Sequence, residues 1–154
     1  MMTKNDLMIL ACLRKNSRDT LTKMSKKTRI PISTIFDKVK THEQGIIRKF
    51  TSLIDFTMLG FNTVATIALR VKKEERETIR DFLIKHQNVN TVYKVNNGFD
   101  FMVEVVFRHI KDLEAFIEGL DERFKIKAKQ TFYIIDEVKR EGFMSEPELL
   151  DIIA

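Results

Sequence analysis

The chain has 154 residues, 44% hydrophobic and 32% charged, with a formal net charge of +5, proportions that exclude a disordered protein. Its one cysteine, Cys12, excludes an internal disulfide. The apolar run at residues 7–13 is far short of the roughly 20 residues of a membrane span. Asp6 precedes that run and Arg14-Lys15 follow it, the wrong polarity for a signal peptide. The expectation is a cytoplasmic protein with no membrane partner.

The charge is unevenly placed. Residues 1–60 carry twelve Lys/Arg and five Asp/Glu, net +7, whereas residues 61–154 are net −2. Such asymmetry points to a basic head that meets a polyanion and a body that does not.

In the head, Asn5 or Asp6 is expected to cap a first helix that ends at Lys15-Asn16, with Leu7, Leu10, Cys12 and Leu13 on one side. Cys12 reads as an inert core thiol. Thr20 is expected to cap a second helix, Leu21–Thr28, with Leu21 and Met24 three apart on one face. In "RIPIST", Pro31 stops that helix and Ser33 or Thr34 offers a hydroxyl to the free N–H groups of a third. The third, over residues 34–44, points Ile35 and Val39 inward and stops at Gly45. "IIRKFTSLI", residues 46–54, alternates enough to be a strand, the wing of such a domain.

Two helices joined by a tight turn, the second presenting small polar and basic groups, make a helix-turn-helix. A helix fits the major groove of duplex DNA, and its N-terminal end favours phosphate. The outward set is Ser33, Thr34, Phe36, Asp37, Lys40 and Thr41, with Lys26, Lys27, Arg29, Lys38 and Arg48 around it as phosphate neutralisers. The implied partner is double-stranded DNA.

From residue 62 the pattern changes. "NTVATIALRV" alternates as a strand, and residues 74–86 carry Ile79, Phe82, Leu83 and His86 at helical spacing. "VNTVYKV" and "FDFMVEVVF" are two strands separated by Asn96-Asn97-Gly98, a hairpin signal. Ile110, Leu113, Phe116, Ile117 and Leu120 define a second helix, and "IKAKQTFYIIDEV" a last strand. The order βαββαβ is that of a ferredoxin-like sandwich, two helices on one face of a four-stranded sheet. The other face is too apolar for water: Met102, Val106, Val64 and Ala68, with Tyr133 and Ile135 on the last strand, call for a partner, and a second copy is the simplest.

An RNA reader shares the βαββαβ order and stacks bases on its third strand, where Phe99 and Phe101 lie here. Asp100 and Glu104 beside them, in a body of net charge −2, oppose a phosphate chain. RNA binding is therefore the lesser alternative. The tail "SEPELLDIIA" opens with a capping box between Ser145 and Glu148, and Leu149, Leu150, Ile152 and Ile153 make an apolar helix expected to dock on its own body or on a neighbouring copy.

The segment "DLMILACLRKNSRDTLTKMSKKTRIPISTIFDKV" resembles the N-terminal half of Lrp/AsnC (feast/famine) transcription regulators, through Asp6, Ile9-Leu10, Leu13, Asn16, Arg18 and Ser33-Thr34-Ile35. It departs at Arg29, where the family has a glycine, at Pro31 in place of a capping serine, and at "His42-Glu43" in place of Leu-Glu. The resemblance covers residues 5–140 and implies an α+β protein. Its parts would be a winged helix-turn-helix domain at residues 1–52, a linker at 53–61, a ferredoxin-like effector and oligomerisation domain at 62–140, and a tail helix at 141–154. It implies a DNA-binding transcription regulator, a homodimer or a tetramer or octamer built from it, that responds to a small metabolite such as an amino acid. The effector pocket it implies lies between subunits and involves Asn97, Gly98, Asp100 and Thr131, with the Asp100 carboxylate receiving an ammonium group. The plainer alternative is that residues 96–98 only turn the chain and Asp100 satisfies their amides.

No phosphate loop, Cys/His zinc cluster or nucleophile motif is present, so no catalytic residue, metal or cofactor is expected. Haem-pathway decarboxylases share the fold and are the enzymatic alternative, but a cationic head does not suit them.

Overall fold

The computed structural model describes residues 1–150. The chain forms two compact units, one of residues 1–53 with the chain from Val138 onward, the other of residues 54–137. Among the described residues no helix is long and apolar enough to cross a membrane.

The first unit is three helices, α1 (Lys4–Lys15), α2 (Leu21–Thr28) and α3 (Ile32–Glu43). Ile9, Cys12, Met24, Ile30 and Ile35 close its core, flanked by Leu13, Leu21 and Val39. Burial pushes the Cys12 thiol up, as befits an inert core sulfur.

Thr3, rather than Asn5 or Asp6, caps α1. Its hydroxyl accepts the Asp6 N–H at 3.2 Å, and the Asp6 carboxylate accepts the Thr3 N–H at 2.7 Å. This reciprocal box satisfies two end groups that a single cap would leave open.

α3 begins two residues earlier than expected. Pro31 is its N-cap, at φ −57, and no side chain caps it. Proline is already set near the helical φ, so the helix starts straight after it. Ser33 and Thr34 therefore lie within the first turn.

Two hydroxyls hold the bend between α2 and α3: Ser25 donates to the Ile30 carbonyl at 2.6 Å, and the Thr28 hydroxyl oxygen accepts the Ile30 N–H at 3.3 Å. Arg29 ends α2 in the left-handed region at φ 59, where a Cβ costs roughly 1 kcal/mol. Arg29→Gly is expected to raise stability toward denaturant by about that much. An unchanged midpoint would show that the arginine side chain offsets the backbone cost.

Residues 46–54 form no strand. The described chain offers them no pairing partner, and a lone extended segment leaves its amides to water. Ile46, Phe50, Leu53 and Ile54 are all half or more exposed.

The tail belongs to the helical unit. Arg14 donates to the Phe143 carbonyl at 2.5 Å and pairs with Glu141 at 3.0 Å, and Lys15 pairs with Glu146 at 2.6 Å. Leu150 is buried. The expected capping box is absent: the Ser145 hydroxyl donates to the Gly142 carbonyl, and a 3-10 turn, Pro147–Leu149, follows. Ile152 and Ile153 lie outside the described residues.

The second unit runs β1 (Thr63–Val71), α4 (Arg76–Lys85), β2 (Val89–Lys94), β3 (Phe101–Phe107), α5 (Ile110–Arg123) and β4 (Ile126–Tyr133). The strands order β2-β3-β1-β4, all antiparallel. Ala65, Ile67, Leu69 and Val71 of β1 and Phe101, Val103, Val105 and Phe107 of β3 pack with Ile79, Leu83, Leu113, Ile117 and Leu120 of the two helices. This is the expected βαββαβ arrangement.

The far face carries Val64, Thr66 and Ala68 opposite Val106, Glu104 and Met102. Phe132, paired with Thr66, lies on this face, and Ile134 follows it, its N–H bonded to the Val64 carbonyl. The expectation of Tyr133 and Ile135 here is one residue out of phase. Tyr133 pairs with Ala65 on the helix side, and its hydroxyl donates to Glu114 of α5 at 2.5 Å. "TFYII" is apolar at both parities, so only pairing with β1 sets the phase. Within one chain Ala68 and Val106 are already buried, whereas Phe132, Ile134 and Tyr93 remain 51%, 43% and 62% exposed.

Candidate nucleic-acid interface

At 3.6 residues per turn, Ile35 and His42 share the inner side of α3, and both are buried. Ser33, Phe36, Asp37 and Lys40 form the opposite stripe, all exposed. Thr41 is exposed beside them, its hydroxyl donating to the Asp37 carbonyl at 2.9 Å, and Thr34 is half-buried at the margin. Lys26, Arg29 and Arg48 are exposed and have no ion pair among the described residues.

Two of the expected phosphate neutralisers are engaged elsewhere. Lys38 turns inward to Asp6 at 2.7 Å, its side chain 29% exposed. It lies on the flank of α3 that faces the N-terminus of α1, so its charge is spent on the fold. Lys27 pairs with Asp19 at 2.8 Å, as does Lys23. Asp19 is held below the usual carboxylate range by Lys23 and then Lys27.

The Asp6 carboxylate is the centre of the unit's polar network. One oxygen accepts from the Thr3 N–H and hydroxyl; the other faces Lys38 Nζ and, at 3.1 Å, the buried His42 Nε2. The Lys38 hydrogen bond, and then that of Thr3, hold its pKa far below the ordinary value of 3.8. The network ties the start of α1 to the middle and end of α3. Its members stand 32 and 36 residues from Asp6 along the chain, so no local pattern announces them. The Asp19–Lys23 spacing of four, by contrast, is readable on a helix.

In the sheet unit, the Asp100 carboxylate is engaged within the chain. One carboxylate oxygen accepts the Val71 N–H at 2.8 Å, and the other pairs with Arg76 at 2.8 Å. The carboxylate thus joins β1 to the head of α4, and its cation is already supplied. Asn97 and Gly98 occupy the turn at φ 62 and 86. Thr131 of β4, half-buried, pairs with Ile67 of β1. Since β3 and β4 flank β1 on opposite sides, and Asp100 lies three residues further along β1 than Thr131, the two stand roughly 14 Å apart. One chain does not bring the four expected effector residues into a single pocket.

Phe101 is buried on the helix side of the sheet. An RNA base cannot reach it, and of the two expected stacking rings only Phe99, half-buried ahead of β3, is left. Among the described residues no group of three or more His, Cys, Asp or Glu could hold a metal ion.

Residues 64–143 match the family described as the Lrp/AsnC ligand binding domain. The chain belongs to the Lrp/AsnC family. It is 27% identical over 143 residues to the HTH-type transcriptional regulator PH1692 of Pyrococcus horikoshii, covering 92% of this chain and 96% of that one. It is 26% identical over 131 residues to the HTH-type transcriptional regulator FL11 of Pyrococcus abyssi, covering 84% and 87%. Its fold matches E. coli AsnC with a TM-score of 0.82 at 19% identity, over 94% and 99% of the two chains. The transcriptional regulator NMB0573 of Neisseria meningitidis, solved as its L-Met complex, matches with a TM-score of 0.84 at 19% identity, over 91% and 94%. This Lrp/AsnC member is a transcription regulator, and its Arg29 stands where the resemblance expects glycine in the bend.

Proposed function

We propose that this regulator binds duplex DNA through a helix-turn-helix made of α2 and α3, as a dimer or larger assembly built on the far face of its sheet. The observation that carries this is the exposed stripe Ser33, Phe36, Asp37 and Lys40 on the face of α3 opposite its buried residues, left uncovered by the described residues. Lys26, Arg29 and Arg48 supply the surrounding positive charge. A helix with small polar and basic side chains outward fits a major groove, and two copies place two such helices in successive grooves. The target is then roughly palindromic, with half-sites about one helical turn or a multiple apart.

Self-association is supported by Phe132 and Ile134 on the far face and by the exposed apolar side chains of residues 46–54. The wing has no strand of its own in a single chain.

Recognition of a small metabolite is assigned to the sheet unit, with an amino acid as the class suggested by the L-Met complex of the Neisseria regulator. The Asn97-Gly98 turn and Thr131 are the groups that support it, since both oxygens of Asp100 are engaged.

Lys40→Ala is the direct test of the DNA face. The variant is expected to bind duplex DNA more weakly and to lower the log–log salt slope by about 0.9 for each phosphate it no longer neutralises. A titration giving the wild-type slope and affinity would take α3 out of the interface.

A further inference from the structure

Asp37 is an anomaly on a cationic surface. It is exposed at the centre of the outward stripe of α3 and has no ion pair or side-chain hydrogen bond among the described residues. Asp6 and Asp19 in the same unit are each neutralised by lysines. Helix polarity does not account for Asp37, because α3 has no acid in its first turn and Asp37 lies beyond it, where the favourable end effect has faded. Phe36, beside it, is a second anomaly: a large apolar ring 55% exposed on a polar face.

We propose that these two side chains set the base preference of the DNA-binding face, Asp37 reading the amino group of a cytosine and Phe36 the methyl group of a neighbouring thymine. The assignment rests on the helix-turn-helix reading and specifies its ligand. A carboxylate near a phosphate chain is repelled, so a favourable position in a DNA complex requires a donor on a base edge. In the major groove cytosine's own edge presents its N4 amine beside C5–H, the paired guanine O6 being the acceptor on one side only, whereas adenine's N6 amine lies between its own N7 and the paired thymine O4, acceptors on both sides that repel a carboxylate. Thymine carries the one methyl group of the groove, and packing against it covers an apolar ring otherwise left in water. Phe36 and Asp37 lie on either side of the line through Ser33 and Lys40. They therefore meet adjacent base pairs.

The test uses the full chain and a pool of randomised duplexes, with the bound fraction sequenced. Wild type is expected to select a C·G pair next to an A·T pair in each half-site. Asp37→Asn is expected to lose the C·G preference by about tenfold or more, or to exchange it for A·T, since asparagine pairs with adenine N6 and N7. Replacing the selected thymine by uracil removes the methyl group; it is expected to weaken wild type several-fold and leave Phe36→Ala unaffected. Both residues are exposed, so circular dichroism should show both variants folded. Asp37→Asn selecting the same C·G pair, or a uracil substitution that wild type ignores, overturns the assignment while duplex binding itself stands. A wild-type chain that retains no duplex at any salt sinks the DNA-binding reading and this assignment together.

Discussion

Phe132→Glu is expected to leave the protein monomeric and to weaken duplex binding by about 100-fold or more at fixed salt, the advantage that two linked heads have over one. Phe132 is 51% exposed, next to Ile134 on the face of the sheet opposite the helices. In a single chain its replacement puts a carboxylate into water, at little cost. Between two sheets the same carboxylate would be buried without a partner, which costs several kcal/mol. The substitution therefore acts on the assembly and not on the fold. Sedimentation velocity reads the first and circular dichroism the second. A variant that still sediments as a dimer would move the interface away from this face, and one that loses its secondary structure would show Phe132 to be part of the monomer's core.

The second large effect is expected at Asp6. Breaking a buried ion pair by removing one partner costs roughly 3–5 kcal/mol. Lys38 keeps 29% of its side chain in water, so the loss for Asp6→Ala belongs at or below the lower end, about 2–3 kcal/mol, or a fall in Tm of roughly 10 °C. The variant also loses the reciprocal cap with Thr3, and the buried His42 loses its facing carboxylate. Asp6 faces inward, yet affinity for DNA is expected to fall with stability, because the orientation of α3 depends on this ion pair.

The same residue sets a pH dependence. Its pKa is held below the ordinary value of 3.8 by Lys38 first and Thr3 second. A depressed carboxylate stabilises fully above its unfolded value and loses that contribution as pH falls toward its folded value. Wild type is thus expected to lose stability more steeply than Asp6→Ala below about pH 4, the two curves running parallel above it. Parallel curves throughout would show that the carboxylate contributes nothing to the folded state through its charge.

How much of this is legible in the chain depends on the range of the interaction. The βαββαβ order, the inward positions of Ile35 and Val39, the hairpin at Asn97-Gly98 and the outward stripe of α3 all follow from periodicities of two and 3.6 and from turn chemistry. Each is decided within a few residues. The segregation of +7 to the first 60 residues is likewise a property of the linear chain. What is not legible involves partners distant along the chain. Lys38 reads as a phosphate neutraliser because nothing near it in sequence reveals Asp6, 32 residues away. Asp100 reads as a ligand group because Arg76 and the Val71 amide come from another strand and helix. The β4 residues on the far face come out one place out of phase because a strand apolar at both parities acquires its facing from the strand it pairs with.

The amino-acid sequence by itself determined the helices and strands of both units apart from the strand expected over residues 46–54, their order, and where positive charge accumulates, since those depend on local geometry and composition. Only the tertiary structure decided which charged groups are free to meet a ligand and which are consumed by the fold. Ion pairs and strand pairing join residues that chain proximity does not, and a charge already neutralised inside the protein has little left to offer DNA.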